Sequence, residues 1–127
     1  MISVRTTVKG EPDVLTFTRV FEYDTRDEEI FFSSVAMIEE KLRCGMRVNV
    51  NEALILFSSH VAKSIRAGGQ DRAIQDGAAK ILSPETVLIG VAETLQQIAF
   101  EARIDDKPVR NIVFKDPIAA SDYLVAG

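Results

Sequence analysis

An α+β fold follows from three features of the sequence: a period-two opening, a helical middle and a period-two close. Alternating, β-branched stretches lie between Ile2 and Tyr23 and between Ile98 and Phe114, while apolar residues from Phe31 to Leu95 recur at helical spacing. The architecture expected is a bundle of three to four helices with a C-terminal β-hairpin and an added N-terminal β-hairpin. With 127 residues, the chain has the length of one domain around a single core.

The opening hairpin is read from Ile2 to Val8, which alternates weakly, and from Val14 to Tyr23, which is rich in β-branched and aromatic residues. Lys9-Gly10-Glu11-Pro12-Asp13 between them is made of turn residues. The period then changes. Thr25 followed by Glu28 has the spacing of a capping box, in which a hydroxyl and a carboxylate satisfy each other's orphan N–H groups. Phe31, Val35, Ile38 and Leu42 form one apolar stripe, and Gly45 supplies the stop.

Asn49 and Glu52 repeat the capping spacing and open a second helix striped by Leu54, Phe57, Val61 and Ile65, closed by Gly68-Gly69. A shorter helical stretch runs from about Asp71 to Lys80. Ser83-Pro84-Glu85 has the signature of a further helix start, with Val87, Leu88, Val91 and Leu95 as its apolar face. Ile98, Phe100, Ala102 and Ile104 then alternate with more polar residues, Asp105-Asp106-Lys107-Pro108 forms a turn, and Val109 to Phe114 returns as a strand. Asp116-Pro117 ends the hairpin and leaves residues 119–127 as a tail.

Composition narrows the function classes. Apolar residues are 46% and charged residues 27%, the balance of an ordered globular chain. A net charge of −4 argues against nucleic acid, whose phosphates need a concentrated positive surface. Arg43 and Arg47 flank Gly45, but two arginines make a solvated helix end and not a stripe. Cys44 is the single cysteine, so neither an intrachain disulfide nor a cysteine-based zinc site is expected. No run approaches the ~18 apolar residues of a membrane helix, and the N-terminus lacks a basic start followed by an apolar run. A cytoplasmic protein with no membrane partner is expected.

Chemistry-bearing residues are sparse. The one histidine, His60, sits in the second helix with no second ligand at i±3 or i±4, so a boundary histidine with one satisfied nitrogen is expected over a metal ligand or general base. Cys44 has an arginine beside it but no cysteine-protease signature around it. Ser58-Ser59-His60 invites a triad, yet sequence neighbours on one helix point in different directions and no nucleophile-elbow motif is present. The carboxylate pairs Glu28-Glu29, Glu39-Glu40 and Asp105-Asp106 lie where solvated faces and turns are expected. Ala67-Gly68-Gly69 is too short for a phosphate loop. The expectation is therefore no catalytic, no cofactor-binding and no metal-binding residue on this chain.

From Asp24 to Ile118 the order and spacing of several short motifs resemble the urease gamma subunit. Asp24-Thr25-Arg26-Asp27-Glu28 is similar to that family's Thr-Pro-Arg-Glu before a helix. Leu42 to Gly45, Val48-Asn49 and Glu52-Ala53 resemble its Leu-x-x-Gly, Leu-Asn and Pro-Glu-Ala passage. Leu82, Glu85, Val87, Gly90-Val91 and Glu93 resemble its Leu-Thr-x-Glu-x-Val and Gly-Val-Pro-Glu segment. Glu101-Ala102 and Asp116-Pro117-Ile118 match its hairpin and closing Asn/Asp-Pro-Ile. The departures are Asn51 and Ala92 in place of prolines, Lys115 in place of histidine, and one extra residue between Gly77 and Leu82. The hairpin of residues 1–23 has no counterpart in the short gamma subunits.

The resemblance implies a core over 24–118 that packs on a larger, nickel-bearing amidohydrolase chain hydrolysing urea. It also implies trimeric contacts, and no nickel ligand on this chain. A rival reading makes the chain a stand-alone, self-associating interaction module whose N-terminal hairpin pairs edge to edge with a copy of itself or with the C-terminal hairpin. An independent enzyme built around His60 ranks below both.

Overall fold

The computed structural model describes residues 2–9, 16–23 and 25–118, with side chains described for 3–8 and 29–118. In chain order the elements are β1 (Ile2–Lys9), β2 (Thr16–Tyr23), α1 (Thr25–Arg43), α2 (Val50–Arg66), α3 (Asp71–Ala78), a 3₁₀ turn at Pro84–Thr86, α4 (Val91–Thr94), β3 (Gln97–Ile104) and β4 (Arg110–Lys115). The class is α+β, as expected. The turn between β1 and β2, the side chains of Thr25 and Glu28, and the tail all lie outside the described residues.

The two hairpins are not separate bodies flanking the helices. They merge into one antiparallel sheet in the order β2-β1-β3-β4. β1 pairs with β2 from Ile2↔Tyr23 to Lys9↔Thr16 and with β3 from Ile2↔Ile104 to Lys9↔Gln97. This register aligns three rows across the sheet: Val8–Ile98–Phe114, Thr6–Phe100–Ile112 and Val4–Ala102–Arg110. In the first two rows every residue is buried, and Val4 and Ala102 are buried as well. The alternate positions Arg5, Glu101 and Asn111 are exposed, which is the period-two rule of a sheet covered on one face.

α2 covers that face. It is the most enclosed helix, with Ala53, Leu54, Leu56, Phe57, Ser58, Ser59, Val61 and Ala62 all buried. The burial exceeds one stripe because α2 touches α1, α3, β1 and β3 together. Its start is built as the sequence expects. The Glu52 N–H donates to Asn49 Oδ1 over 2.8 Å and the Asn49 N–H donates to Glu52 Oε1 over 2.9 Å. Lys41 Nζ from α1 donates to both Glu52 oxygens, at 3.0 and 2.9 Å, so the cap also staples two helices.

Burial raises the Glu52 carboxyl, but the Asn49 N–H and the Lys41 ammonium outweigh it and hold the group below the ordinary glutamate range. The folded carboxyl thus binds its proton more weakly than the unfolded one. Its stabilising contribution is complete above the ordinary glutamate pKa of about 4.3 and is lost as the pH falls through the lower folded value. Glu52→Gln removes the charge that pairs with Lys41 and is expected to lose up to about 1 kcal/mol at pH 7, with the gap to wild type shrinking in urea melts as the pH falls below the ordinary glutamate range. A gap that stays constant with pH would refute this role.

α1 carries the expected stripe, with Phe31, Val35 and Ile38 buried and Leu42 half-buried. It stops at Gly45, whose φ of +79° lets the Met46 N–H reach the Lys41 carbonyl at 3.1 Å and the Gly45 N–H reach Leu42 at 3.0 Å. These are the paired hydrogen bonds of a Schellman stop.

The predicted single helix from Ser83 is a correction. Pro84–Thr86 makes only one 3₁₀ turn, closed by the Thr86 N–H on the Ser83 carbonyl at 3.0 Å. Val87 is extended (φ −119°, ψ 154°), and α4 begins separately after Gly90. The reason is tertiary. Val87 forms a parallel bridge with Val48, and a residue committed to that bridge cannot also continue a helix.

Candidate docking surface

Val48 and Val87 are both buried, and their backbones are tied by two hydrogen bonds. The Val48 N–H donates to the Thr86 carbonyl over 3.0 Å, and the Leu88 N–H donates to the Val48 carbonyl over 2.9 Å. Immediately past this bridge the chain must turn. Gly90 supplies the turn at φ +92°, a left-handed backbone that side-chain-bearing residues resist. The Val91 N–H closes back on the Leu88 carbonyl at 3.1 Å.

The turn projects apolar side chains into solvent. Ile89 is 98% exposed and Leu88 is 47% exposed, while Met46, two residues before the bridge, is 55% exposed. Beside them runs an open groove of about 440 Å³ lined by Arg47, Val87, Leu88, Ile89, Glu93 and Ile118, among others. Scattered exposed apolar residues are ordinary. An exposed Leu-Ile pair on a hydrogen-bonded turn at the rim of a groove is the kind of feature that marks an interface. A second exposed apolar feature lies on α1, where Ile30 and Met37 are exposed and Met37 lines a groove of about 320 Å³ with Ser34, Ile38, Lys41 and Glu52.

The chemistry-bearing residues stay apart. Among the described residues no three His, Cys, Asp or Glu side chains converge as a metal-binding group. His60 is half-buried against α3, its Nε2 2.8 Å from the Ile74 carbonyl, to which the Nε2–H donates. Its ring centroid lies 6.2 Å from that of Phe114. Ser58 and Ser59 are buried on α2, and Ser58 Oγ is 3.4 Å from Thr6 Oγ1 of β1, so it faces the sheet. His60 bonds to α3 instead, and the sequence triplet is not a triad. Cys44 is exposed beyond α1. Glu39, Glu40, Asp105 and Asp106 are exposed, and Glu40 accepts from Arg43 Nε at 2.7 Å. Arg47 lines the groove, so the two arginines that flank Gly45 do not act together.

The position of His60 explains Gly77. A Cβ on Gly77 would sit 2.9 Å from His60 Cε1, closer than real Cβ atoms come, and 3.1 Å from Nε2, a tight contact, so the ring would have to shift. Gly77→Ala is expected to cost about 1–3 kcal/mol by overpacking, with partial recovery in the Gly77→Ala/His60→Ala double variant. Urea midpoints of the four proteins in that cycle measure the coupling, and additive losses would refute the contact.

Sequence reasoning saw Leu88 as part of a helical core face and gave Ile89 no role. The exposed pair could have been found only from the mismatch between a Ser-Pro-Glu helix start and a glycine six residues after the proline. No helix among the described residues is long and apolar enough to cross a membrane.

Comparison with known proteins covers most of the chain. The family model for "Urease, gamma subunit" matches residues 23–118. The urease subunit gamma/beta of Streptomyces coelicolor is 31% identical over 93 residues, which are 73% of this chain and 40% of that protein. The urease subunit gamma/beta of Streptomyces avermitilis is 32% identical over 93 residues, again 73% and 40%. The urease subunit alpha of Helicobacter pylori strain P12 is 33% identical over 85 residues, 65% of this chain and 35% of that protein. The chain thus spans about two fifths or less of the curated relatives it matches. With a matched segment that runs from the end of β2 through the helices and the C-terminal hairpin, this chain belongs to the urease gamma subunit family.

Proposed function

We propose that the chain is a noncatalytic structural subunit that packs on a larger, nickel-dependent amidohydrolase chain hydrolysing urea. The observation that carries this reading is the hydrogen-bonded, solvent-exposed Leu88–Ile89 turn in a chain of the urease gamma family. A subunit whose work is packing needs an apolar anchor held in place before binding, so that little ordering entropy is lost on association. The Streptomyces relatives are named gamma/beta, and the matched segment is 40% of each. Gamma-type sequence therefore occurs there within a larger polypeptide, which supports a role as part of an assembly.

In this reading nickel and the proton-transfer groups belong to the partner, and this chain contributes surface. The setting is the cytoplasm, and the assembly is an oligomer whose trimeric form is the family's expectation. Co-purification from the native cell tests it: a large companion chain bearing nickel is expected with the tagged protein. Recovery as a free monomer, or urea hydrolysis by the isolated chain, would overturn it.

The rival reading, self-association through the N-terminal hairpin, has a weaker foundation. β1 is hydrogen-bonded on both sides within its own chain, to β2 and to β3. Within that hairpin only β2 keeps an outer edge without a strand partner among the described residues, and the other edge of the sheet is β4.

A further inference from the structure

The family match begins at residue 23, so β1 and nearly all of its hairpin partner β2 lie outside it, while the other two elements β1 packs against, β3 and α2, lie inside. β1 nevertheless occupies an interior position of the sheet and meets β3 over eight paired residues. On the face toward α2, Val4, Thr6 and Val8 are each 0% exposed. Val8 stands opposite Ile98, Thr6 opposite Phe100 and Val4 opposite Ala102. Thr6 Oγ1 lies 3.4 Å from Ser58 Oγ, a hydroxyl on α2 that is itself fully buried.

Taken without β1, the matched portion would present one whole edge of β3 unpaired, with Ile98, Phe100, Ala102 and Ser58 uncovered beside it. An open edge flanked by an apolar wall is the geometry of strand addition, in which backbone bonds supply affinity and alternate side chains supply selectivity.

We propose that the β3 edge and Ser58 form a strand-binding site for an extended peptide of the pattern Val-x-Thr-x-Val, and that β1 is its resident ligand, supplied by the same chain. The outer two positions fill the wall at Ala102 and Ile98. The central position reads a hydroxyl, because an apolar residue there takes away the partner that Thr6 gives Ser58, and a charged one would be buried unpaired. The intervening positions, Arg5 and Thr7, are exposed and half-buried and tolerate other residues. Tethering keeps the site filled in the intact chain, since covalent attachment makes strand binding an intramolecular event.

The test starts from the full-length protein with a protease recognition sequence inserted between Gly10 and Glu11. The folded protein is cut, unfolded in urea and refolded with an excess of a fluorescein-labelled synthetic peptide of residues 1–10. The native circular dichroism is expected to return, with labelled peptide bound as read by anisotropy. Peptides carrying Thr6→Asp, or Val4→Asp with Val8→Asp, are expected to bind at least ~10-fold more weakly. Three results would overturn the proposal: a native spectrum with no peptide bound, failure to refold whatever the peptide concentration, or equal uptake of all three peptides.

Discussion

Phe114→Ala is expected to lower the stability of this chain by about 3–5 kcal/mol, the usual cost of emptying a large aromatic site in a packed core. Phe114 is buried on β4, and its ring is the meeting point of three elements. Its centroid lies 5.9 Å from that of Phe57 on α2, with the planes at 68°. It lies 4.9 Å from Phe100 on β3 and 6.2 Å from His60. Edge-on and tilted aromatic contacts of this kind add to the area term, and alanine removes all of them at once. Since a domain of this size has a total stability of roughly 5–15 kcal/mol, the variant is expected near the limit of folding. Phe114→Leu keeps most of the volume and is expected to lose much less. Urea midpoints at constant m-value measure both. A loss under about 1 kcal/mol for Phe114→Ala would show that the site collapses freely and is not the junction of sheet and helices.

The second large effect is on association and not on folding. Ile89→Asp places a charge on a side chain that is 98% exposed, so the stability of the isolated chain is expected to stay within ~0.5 kcal/mol. Against a partner that encloses the Leu88–Ile89 turn, the same change buries an unpaired carboxylate at an anchor position. A loss of at least 2 kcal/mol, roughly 30-fold in affinity, is expected. The measurement is the yield of companion chain recovered with tagged wild type and with tagged Ile89→Asp, alongside thermal melts of both. Met37→Asp on α1 is the comparison, since Met37 is also exposed but lies on a different groove. If Met37→Asp abolished recovery and Ile89→Asp did not, the partner would sit on α1, and the turn would lose its assigned role while the subunit reading survived.

Several parts of this fold are legible because their cause is local. Asn49 and Glu52 cap α2 across three residues, and both halves of the box form with the geometry that their spacing implies. Phe31, Val35 and Ile38 share a face because a helix repeats every 3.6 residues, whatever else surrounds it. The turn between β3 and β4 closes through the Lys107 N–H on the Ile104 carbonyl at 3.0 Å, within a four-residue span. Motif order from Asp24 to Ile118 pointed to the family that the matched segment, residues 23–118, then established. The environment of His60 was legible in part. Its isolation from other ligand types could be counted, but its bond to the Ile74 carbonyl depends on how α3 docks.

What no local pattern carries is the choice between partners far apart in the chain. Strand alternation declares that Ile2–Lys9 and Gln97–Ile104 are strands, but period two is the same whichever strand lies alongside. The union of the two hairpins into one sheet was settled by burial: only with β1 beside β3 do Val4, Thr6 and Val8 lie over Ser58 and α2. The region after Ser83 shows the opposite balance. There the sequence offers a strong local helix start, yet the 39-residue separation between Val48 and Val87 is bridged by two backbone hydrogen bonds. Two buried valines with paired backbones outweigh a helical propensity worth a few tenths of a kcal/mol per residue. The start of α2, the stop of α1 and the buried face of α1 were thus properties of the sequence itself, because each is decided within a turn or two of backbone. The strand order and the exposed Leu88–Ile89 turn were decided only by tertiary structure, because each depends on which distant backbone is available to pair.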